Sequence, residues 1–364
     1  MKSIPVAEPD LRGNERKYVL DCLDTNWVSS LGKYIPLFEQ KFSAYCSCSN
    51  GVAVANGTVA LHLALAALGI GKGDEVLVPD LTFVATPNAV TYTGAKTVLV
   101  DADPKVWNIA PEKIEEKITP NTKAIIPVHL YGHPCDMEPI MKIAEEHNLF
   151  VVEDCAEAHG AEYRGKKVGS IGDVGCFSFY GNKILTTGEG GMCTTGDEEL
   201  AQRMRLLKDH GMAKRRYYHP EIGFNYRMTN IQAAIGLAQL ERIDEIIAIK
   251  RKNAMLYKKF LGSCKGITLQ PEMPWAKTVY WLHSILVEND FRSNRDLLMQ
   301  ELSAEGIDSR PFFIPMHELP MYRQDGFPVA TELSTKGINL PSSTLLTEDD
   351  IKMICGVIRN EKIR

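Results

Sequence analysis

One lysine, Lys183, stands in the stretch SFYGNKILTTGEGGM (178–192), among glycines, hydroxyls and a carboxylate. A primary amine in such a setting can bind phosphate, sit solvated on a turn, or form an exchangeable imine with a carbonyl carbon. Residue order excludes a Walker-type phosphate loop. That motif puts its lysine after the glycines and before Ser or Thr, whereas Lys183 precedes them and is followed by Ile184 and Leu185. Two further groups bear on the choice. Asp154 closes the apolar run LFVVED, where a carboxylate is partly desolvated unless a cation or hydrogen-bond donors meet it; alternatively it caps the next helix. Asn56, Gly57 and Thr58 follow the strand-like VAVA and open the helical VALHLALAALG. With Thr58 as the expected N-cap, this start is either a capped helix and nothing more, or an anion site built from free N–H groups.

In combination these groups point to one chemistry. An acid opposite a pyridine nitrogen, a phosphate cradle and an imine-forming lysine are what pyridoxal phosphate requires of a protein. The lysine amine, once released, can carry a proton between the substrate carbon and the cofactor. Asp154 would favour a protonated ring nitrogen. The helix start and the hydroxyl of Ser178, on the strand-like CFSF, suit a dianionic phosphate. Phe83, in DLTFVAT, either stacks on the ring or packs into the core.

The elements that must position these residues show in the pattern of the chain. Its 364 residues are 45% hydrophobic and 24% charged, enough for two domains. From residue 50 to about 210, short apolar runs (GVAVANGT, DEVLVPD, KAIIPVHLYG, LFVVEDC, DVGCFSFYG) alternate with amphipathic stretches. That is the mark of a mostly parallel α/β sheet flanked by helices. The segment 229–261 opens with the capping box Thr229 and Gln232 and keeps helical apolar spacing, which predicts a long helix, continuous or broken, joining two domains. Beyond it the pattern reads strand, helix, strand, helix, a smaller α+β domain. The expected division is 1–245 and 246–364, with about 1–30 packing on the smaller part. A net charge of −5 argues against nucleic acid or an anionic membrane as partner, and no run approaches the roughly 18 apolar residues of a membrane span. Nine cysteines, an odd number lying largely in strand-like runs, suit reduced thiols in the cytoplasm. Cys46 and Cys48 lack a second Cys/His pair, so no metal is expected.

At this point the chain resembles the DegT-type sugar-nucleotide aminotransferases, pyridoxal-phosphate enzymes of the aspartate-aminotransferase fold (fold type I). The resemblance runs through FEQKFSAY, VANGTVALHLALAALGIGKGDEVLVPDLTFVAT, VHLYGHPCDM, VVEDCAEAHGA, GDVGCFSFYGNK, GEGGM, GFNYRMTNIQAAIGLAQLE and RPFFIPMH, nearly the whole chain and in order. It implies Lys183 as the Schiff-base lysine and Asp154 as the partner of the ring nitrogen. It also implies Gly57, Thr58 and Ser178 as phosphate ligands, with Phe83 and Ala156 on the two faces of the ring. Asn225 matches an asparagine that reaches the phosphate from a neighbouring subunit, which implies a homodimer with shared sites. Glu157 departs from much of the family, where a glutamine meets the cofactor's phenolic oxygen. A glutamate there needs a protonated neighbour or must itself be protonated. This acidic variant is similar to the branch that aminates GDP-4-keto-6-deoxymannose with glutamate to give GDP-perosamine, through pyridoxamine phosphate. Such a role belongs to O-antigen and other polysaccharide biosynthesis.

For the nucleotide sugar, TNWVSSLGKY and RPFFIPMHELPMY resemble pocket-lining segments, making Trp27, Ser29, His317 and Tyr322 candidates; each equally suits a structural role. Lys214, Arg215 and Arg216 either meet a diphosphate or are solvated. Alternatives on the same fold are amination of a UDP- or dTDP-linked 4-keto-6-deoxyglucose, as in viosamine-type synthesis, and a non-catalytic sugar-nucleotide-binding regulator. A 3-dehydratase, in which histidine replaces the lysine, is disfavoured by Lys183.

Overall fold

The computed structural model describes residues 3–361. Its main sheet has seven strands: β1 (Asn50–Val54), β2 (Glu75–Pro79), β3 (Lys96–Val100), β4 (Thr122–Ile125), β5 (Phe150–Asp154), β6 (Val174–Ser178) and β7 (Gly191–Thr195). Their spatial order is β1-β7-β6-β5-β4-β2-β3. Only β7 runs against its neighbours. Strands β1, β2 and β7 are buried along their whole length, as expected where helices cover both faces of a sheet. Those helices include α1 (Glu15–Asp24), α2 (Tyr34–Tyr45), α3 (Gly57–Ala67), α4 (Ala85–Thr93), α5 (Met137–His147), α6 (Glu198–Lys208) and α7 (Asn230–Leu240). Since β1, β2, β4, β5 and β6 share one direction, the segments that leave them, bearing Asn56, Asp80, Asp154 and Ser178, emerge at one edge. In open α/β sheets that edge is where ligands bind.

The long helical segment is broken. Thr229 and Gln232 form the capping box of α7, but the helix stops at Leu240 and resumes as α8 (Ile243–Leu261). Arg242 sits at the break with non-helical backbone (φ −116°), and its guanidinium reaches Asp10 (3.3 Å) and Glu245 (3.1 Å). Helix α8 then passes between two cores. Ile243, Ile246 and Ile247 belong to the core around the main sheet, whereas Tyr257 and Leu261 belong to a second one. That second core lies under an antiparallel sheet of β8 (Ile267–Leu269), β9 (His283–Val287), β10 (Arg310–Pro311) and β11 (Gly337–Leu340), ordered β8-β9-β11-β10. Helices α9 (Arg295–Ala304), α10 (Pro328–Lys336) and α11 (Glu348–Ile358) follow its strands.

Two cores spanned by one helix are the basis on which we propose the division at residue 245, in the first turn of α8. The N-terminal segment spans both parts. The Ile4 side chain lies in the second core, its N–H donates to Gly306 O (2.9 Å) and its carbonyl accepts from Asp308 N–H (2.9 Å). Helix α1 instead packs on α7. Residues 1–2 and 362–364, at the ends of the two proposed domains, lie outside the described residues. Among the described residues no helix is long and apolar enough to cross a membrane. All nine cysteines are free thiols; Cys46 is buried, and Cys48 Sγ points to the Gly169 carbonyl (3.2 Å).

Candidate active site

At the carboxyl edge of the main sheet a cavity of about 520 Å³ opens between the two parts of the chain, its walls drawn from α3, the strand ends and the second part's Trp281 and Phe313. Its floor begins at the start of α3. The N-cap is Asn56, whose side chain accepts from Val59 N–H (3.0 Å). Thr58, expected as the cap, instead lies inside the first turn. The correction strengthens the site: with the cap two residues earlier, the N–H groups of Gly57 and Thr58 have no intrahelical acceptor and Thr58 keeps its hydroxyl for another partner. Gly57 is required by contact. A Cβ there would lie 2.6 Å from the Ser178 Cβ, so Ser178 and the helix start share one surface of the cavity. His159 fixes Ser178 from behind by donating Nε2–H to its carbonyl (2.8 Å).

Strand alternation separates two neighbouring acids. Glu153 is enclosed in the protein, accepting N–H groups from Gly169, Ile171 and Gly172 and the Nε2–H of His129 (3.1 Å). That tautomer follows because His129 Nδ1 accepts from Cys135 N–H (3.0 Å). Burial works against the Glu153 charge, yet these donors hold its carboxyl below its ordinary value. Asp154 lines the cavity. Thr86 donates its hydroxyl to Asp154 Oδ2 (2.8 Å) and Ala156 N–H donates to Oδ1 (3.1 Å). Thr82 completes the relay by donating to Thr86 (3.1 Å). Burial pushes the Asp154 carboxyl up, only partly offset by Thr86, the Ala156 N–H and the Lys183 amine. Among the described residues its hydrogen-bond donors, Thr86 and the Ala156 N–H, are neutral, so such a carboxylate is suited to gaining a close cation.

Lys183 follows β6 on a tight turn, its N–H donating to Tyr180 O (2.9 Å). Its Nζ lies 3.9 Å from Glu157 Oε1 and 3.9 Å from the centroid of the Trp281 ring. Burial lowers its proton affinity, against the pull of Glu157 and Asp154. Glu157 is 4% exposed and accepts from Tyr131 N–H through Oε2 (2.8 Å). Burial pushes its carboxyl up to about 7, opposed by Lys183 and the Tyr131 N–H. Burial thus draws both members of the pair toward their uncharged forms, while each favours the charge of the other.

Of the residues singled out in the sequence, Gly57, Thr58, Phe83, Asp154, Ala156, Glu157, Ser178 and Lys183 all line this cavity. Phe83 is 54% exposed there and meets Phe313 (centroids 5.6 Å apart). Asn225 does not line the cavity of its own chain; it is exposed, with Oδ1 accepting from Arg227 (2.9 Å). The four substrate candidates also lie elsewhere. Trp27 borders a separate surface cavity with Asp21, Leu31 and Asn230, and the Ser29 carbonyl accepts from Asn230 N–H (2.6 Å). His317 is bonded to the buried Asp80 (Nδ1 to Oδ2, 2.6 Å), and Tyr322 OH donates to Asn88 (2.8 Å). These last two tie the 311–322 segment, which brings Phe313 to the cavity, onto the main sheet. Sequence reasoning missed Thr86, Tyr131, Trp281 and Phe313. Two of these left a trace: Thr86, as a hydroxyl four residues after Thr82, and Phe313, inside the RPFFIPMHELPMY segment that resembles a pocket wall.

The residues present fit pyridoxal phosphate. A buried carboxyl whose hydrogen-bond donors are neutral, a desolvated amine, a helix start cleared by Gly57, and the buried Asn182 Oδ1 without a hydrogen-bond partner leave unmet the interactions that a phosphate-bearing, ring-protonated aldehyde would satisfy.

Comparison with known proteins agrees with this chemistry. Residues 9–359 match the DegT/DnrJ/EryC1/StrS aminotransferase family. The chain is 51% identical to the GDP-perosamine synthase of Caulobacter vibrioides, covering 98% of this chain and 97% of that one. It is 50% identical to the GDP-perosamine synthase of Escherichia coli O157:H7, with the same coverage. Among solved structures, the PLP form of Spr1654 from Streptococcus pneumoniae superposes with a TM-score of 0.94 at 28% identity, covering 99% of this chain and 98% of that one.

Proposed function

Because the chain belongs to the DegT/DnrJ/EryC1/StrS aminotransferase family, we propose that it transfers the amino group of L-glutamate to the 4-keto carbon of GDP-4-keto-6-deoxymannose, forming GDP-perosamine. The observation that carries the reaction type is the meeting of the Lys183 amine, the Asp154 carboxyl and the α3 start in one cavity. The choice of sugar rests on GDP-perosamine synthases about half identical over nearly the full chain.

Pyridoxal phosphate, when bound, supplies an aldehyde that exchanges amines and a ring that withdraws electrons from the reacting carbon. Asp154 would hold the ring nitrogen, Gly57, Thr58 and Ser178 the phosphate, and Phe83 and Ala156 the two faces. The free amine of Lys183 would take and return the proton at the reacting carbon, as a desolvated amine of lowered proton affinity can. Glu157 would hold its carboxyl beside that amine, 3.9 Å away. Tyr131, Trp281 and Phe313 exclude water from its surroundings. Among the lining residues Lys183 is the one basic side chain, too little for a phosphate dianion and a nucleotide diphosphate. That supports a homodimer in which a second copy brings Asn225, and with it the neighbouring basic loop, to the site.

The test compares kcat/KM for GDP-4-keto-6-deoxymannose with those for UDP- and dTDP-4-keto-6-deoxyglucose, glutamate being the donor in each case. A preference of at least about 100-fold for the GDP sugar is expected, since a site shaped to hydrogen-bond one base rejects others strongly. Preference for either glucose-derived substrate would replace this reading with the viosamine-type one.

A further inference from the structure

We propose that Trp281 is a positioning residue for the Lys183 amine: its indole face and the Glu157 carboxylate form a dock that holds the amine whenever it is free. The inference rests on the proposed role of Lys183 and adds to it where the amine waits. Nζ lies 3.9 Å from the indole centroid and 3.9 Å from Glu157 Oε1, close enough for both to attract an ammonium group. The indole is 4% exposed and pinned at both ends. Its N–H donates to the carbonyl of Asn182, the residue before the lysine (2.8 Å). Its own carbonyl accepts from Lys250 Nζ (3.0 Å), a buried ammonium that also reaches Ser342 O (2.7 Å) and Oγ (3.0 Å). Tyr131 lies nearly parallel to the indole, 20° between planes and 6.4 Å between centroids. Trp281 comes from the second part of the chain, just ahead of β9, so docking the amine also ties that part to the main sheet.

The dock has a chemical consequence. Burial drives Lys183 toward the neutral amine, while the ring face and the carboxylate favour the ammonium. The other ionisable groups around it are Asp154, Tyr180 and Glu189 on the cavity walls, His159 behind Ser178, and Glu8, Asp10 and Lys250 on the far side. Trp281, unlike these groups and Glu157, can be changed without altering a charge. A side chain that merely filled space could be replaced by any apolar group of similar bulk. A dock needs an aromatic face.

The test uses cofactor-free protein, so it depends neither on loading nor on the identity of the sugar. Lys183 is labelled by reductive methylation across a pH series and quantified by peptide mass spectrometry, with the exposed lysines as internal controls. The pH of half-labelling is expected to fall by about one unit in Trp281→Leu and by less in Trp281→Phe, since losing the ring destabilises the ammonium. Glu157→Gln is expected to shift it in the same direction. An unchanged or raised midpoint in Trp281→Leu, or equal midpoints for the Phe and Leu proteins, would overturn the dock. Should Trp281→Leu fail to fold by circular dichroism, Trp281→Met, which has no ring, takes its place, and a midpoint identical to wild type in that protein rejects the inference. Absence of amino transfer in the wild-type enzyme would count against the proposed function and leave this measurement standing.

Discussion

Glu157 is a buried acid 3.9 Å from the Lys183 amine, and its surroundings make its protonation measurable. In the cofactor-free fold burial holds its carboxyl at about 7, above the ordinary value for glutamate. The folded state therefore binds a proton that the unfolded chain has already released, and stability falls as pH rises from about 4.5 to 7. Glu157→Gln removes that loss. Relative to wild type, the variant should gain stability through this window, by up to about 3 kcal/mol, measured by denaturant unfolding at several pH values. A stability difference that stays constant with pH would contradict it, because Asp80, Asp154 and the other titrating groups are common to both proteins. At this scale the site was partly legible in the sequence. Lys183 and Asp154 declare themselves by chemistry and by position after apolar strands. Trp281 and Tyr131 do not, because a buried aromatic residue looks the same in a core as beside a reactive amine, and only tertiary contact distinguishes the two.

At the scale of elements, the proposed phosphate site is the first turn of α3. Gly57 lets Ser178 pass within 2.6 Å of where a Cβ would stand, and Asn56 caps the helix so that the next two N–H groups face the cavity. Gly57→Ala should leave the helix intact, since alanine is the better helix former, yet push Ser178 away from the phosphate position. Affinity for pyridoxal phosphate, measured by absorbance titration, should fall at least about tenfold, as loss of one charge-assisted hydrogen bond allows. Unchanged affinity would show that the phosphate does not use this surface. The existence of α3 and its anion-binding character could be read from its apolar run and the polar residues before it. Its cap could not, because Asn56 and Thr58 are both good capping residues and local sequence does not choose between them. The break between α7 and α8 is similar: Arg242 leaves the helix for Asp10, a partner more than 200 residues away that no local pattern reveals.

For the whole molecule, alternating apolar runs carried the α/β class, because strands buried on both faces and amphipathic helices leave distinct periodicities. What they could not carry is how the second part meets the first. The 311–322 segment crosses to the main sheet through His317 and the buried Asp80, which is how Phe313 reaches the cavity. With Trp281 it makes the site a joint product of both parts. The proposed reaction carries nitrogen from glutamate through the Lys183 site to the sugar. The direct measurement supplies purified enzyme with pyridoxal phosphate, GDP-4-keto-6-deoxymannose and [15N]glutamate, and follows the sugar nucleotide by mass spectrometry and NMR, with Lys183→Ala in parallel. The expected result is 15N at C4 of a GDP-amino sugar with the wild-type enzyme, and a rate lower by at least about 1,000-fold with the variant. No labelled sugar with wild type, or equal labelling with Lys183→Ala, would contradict it.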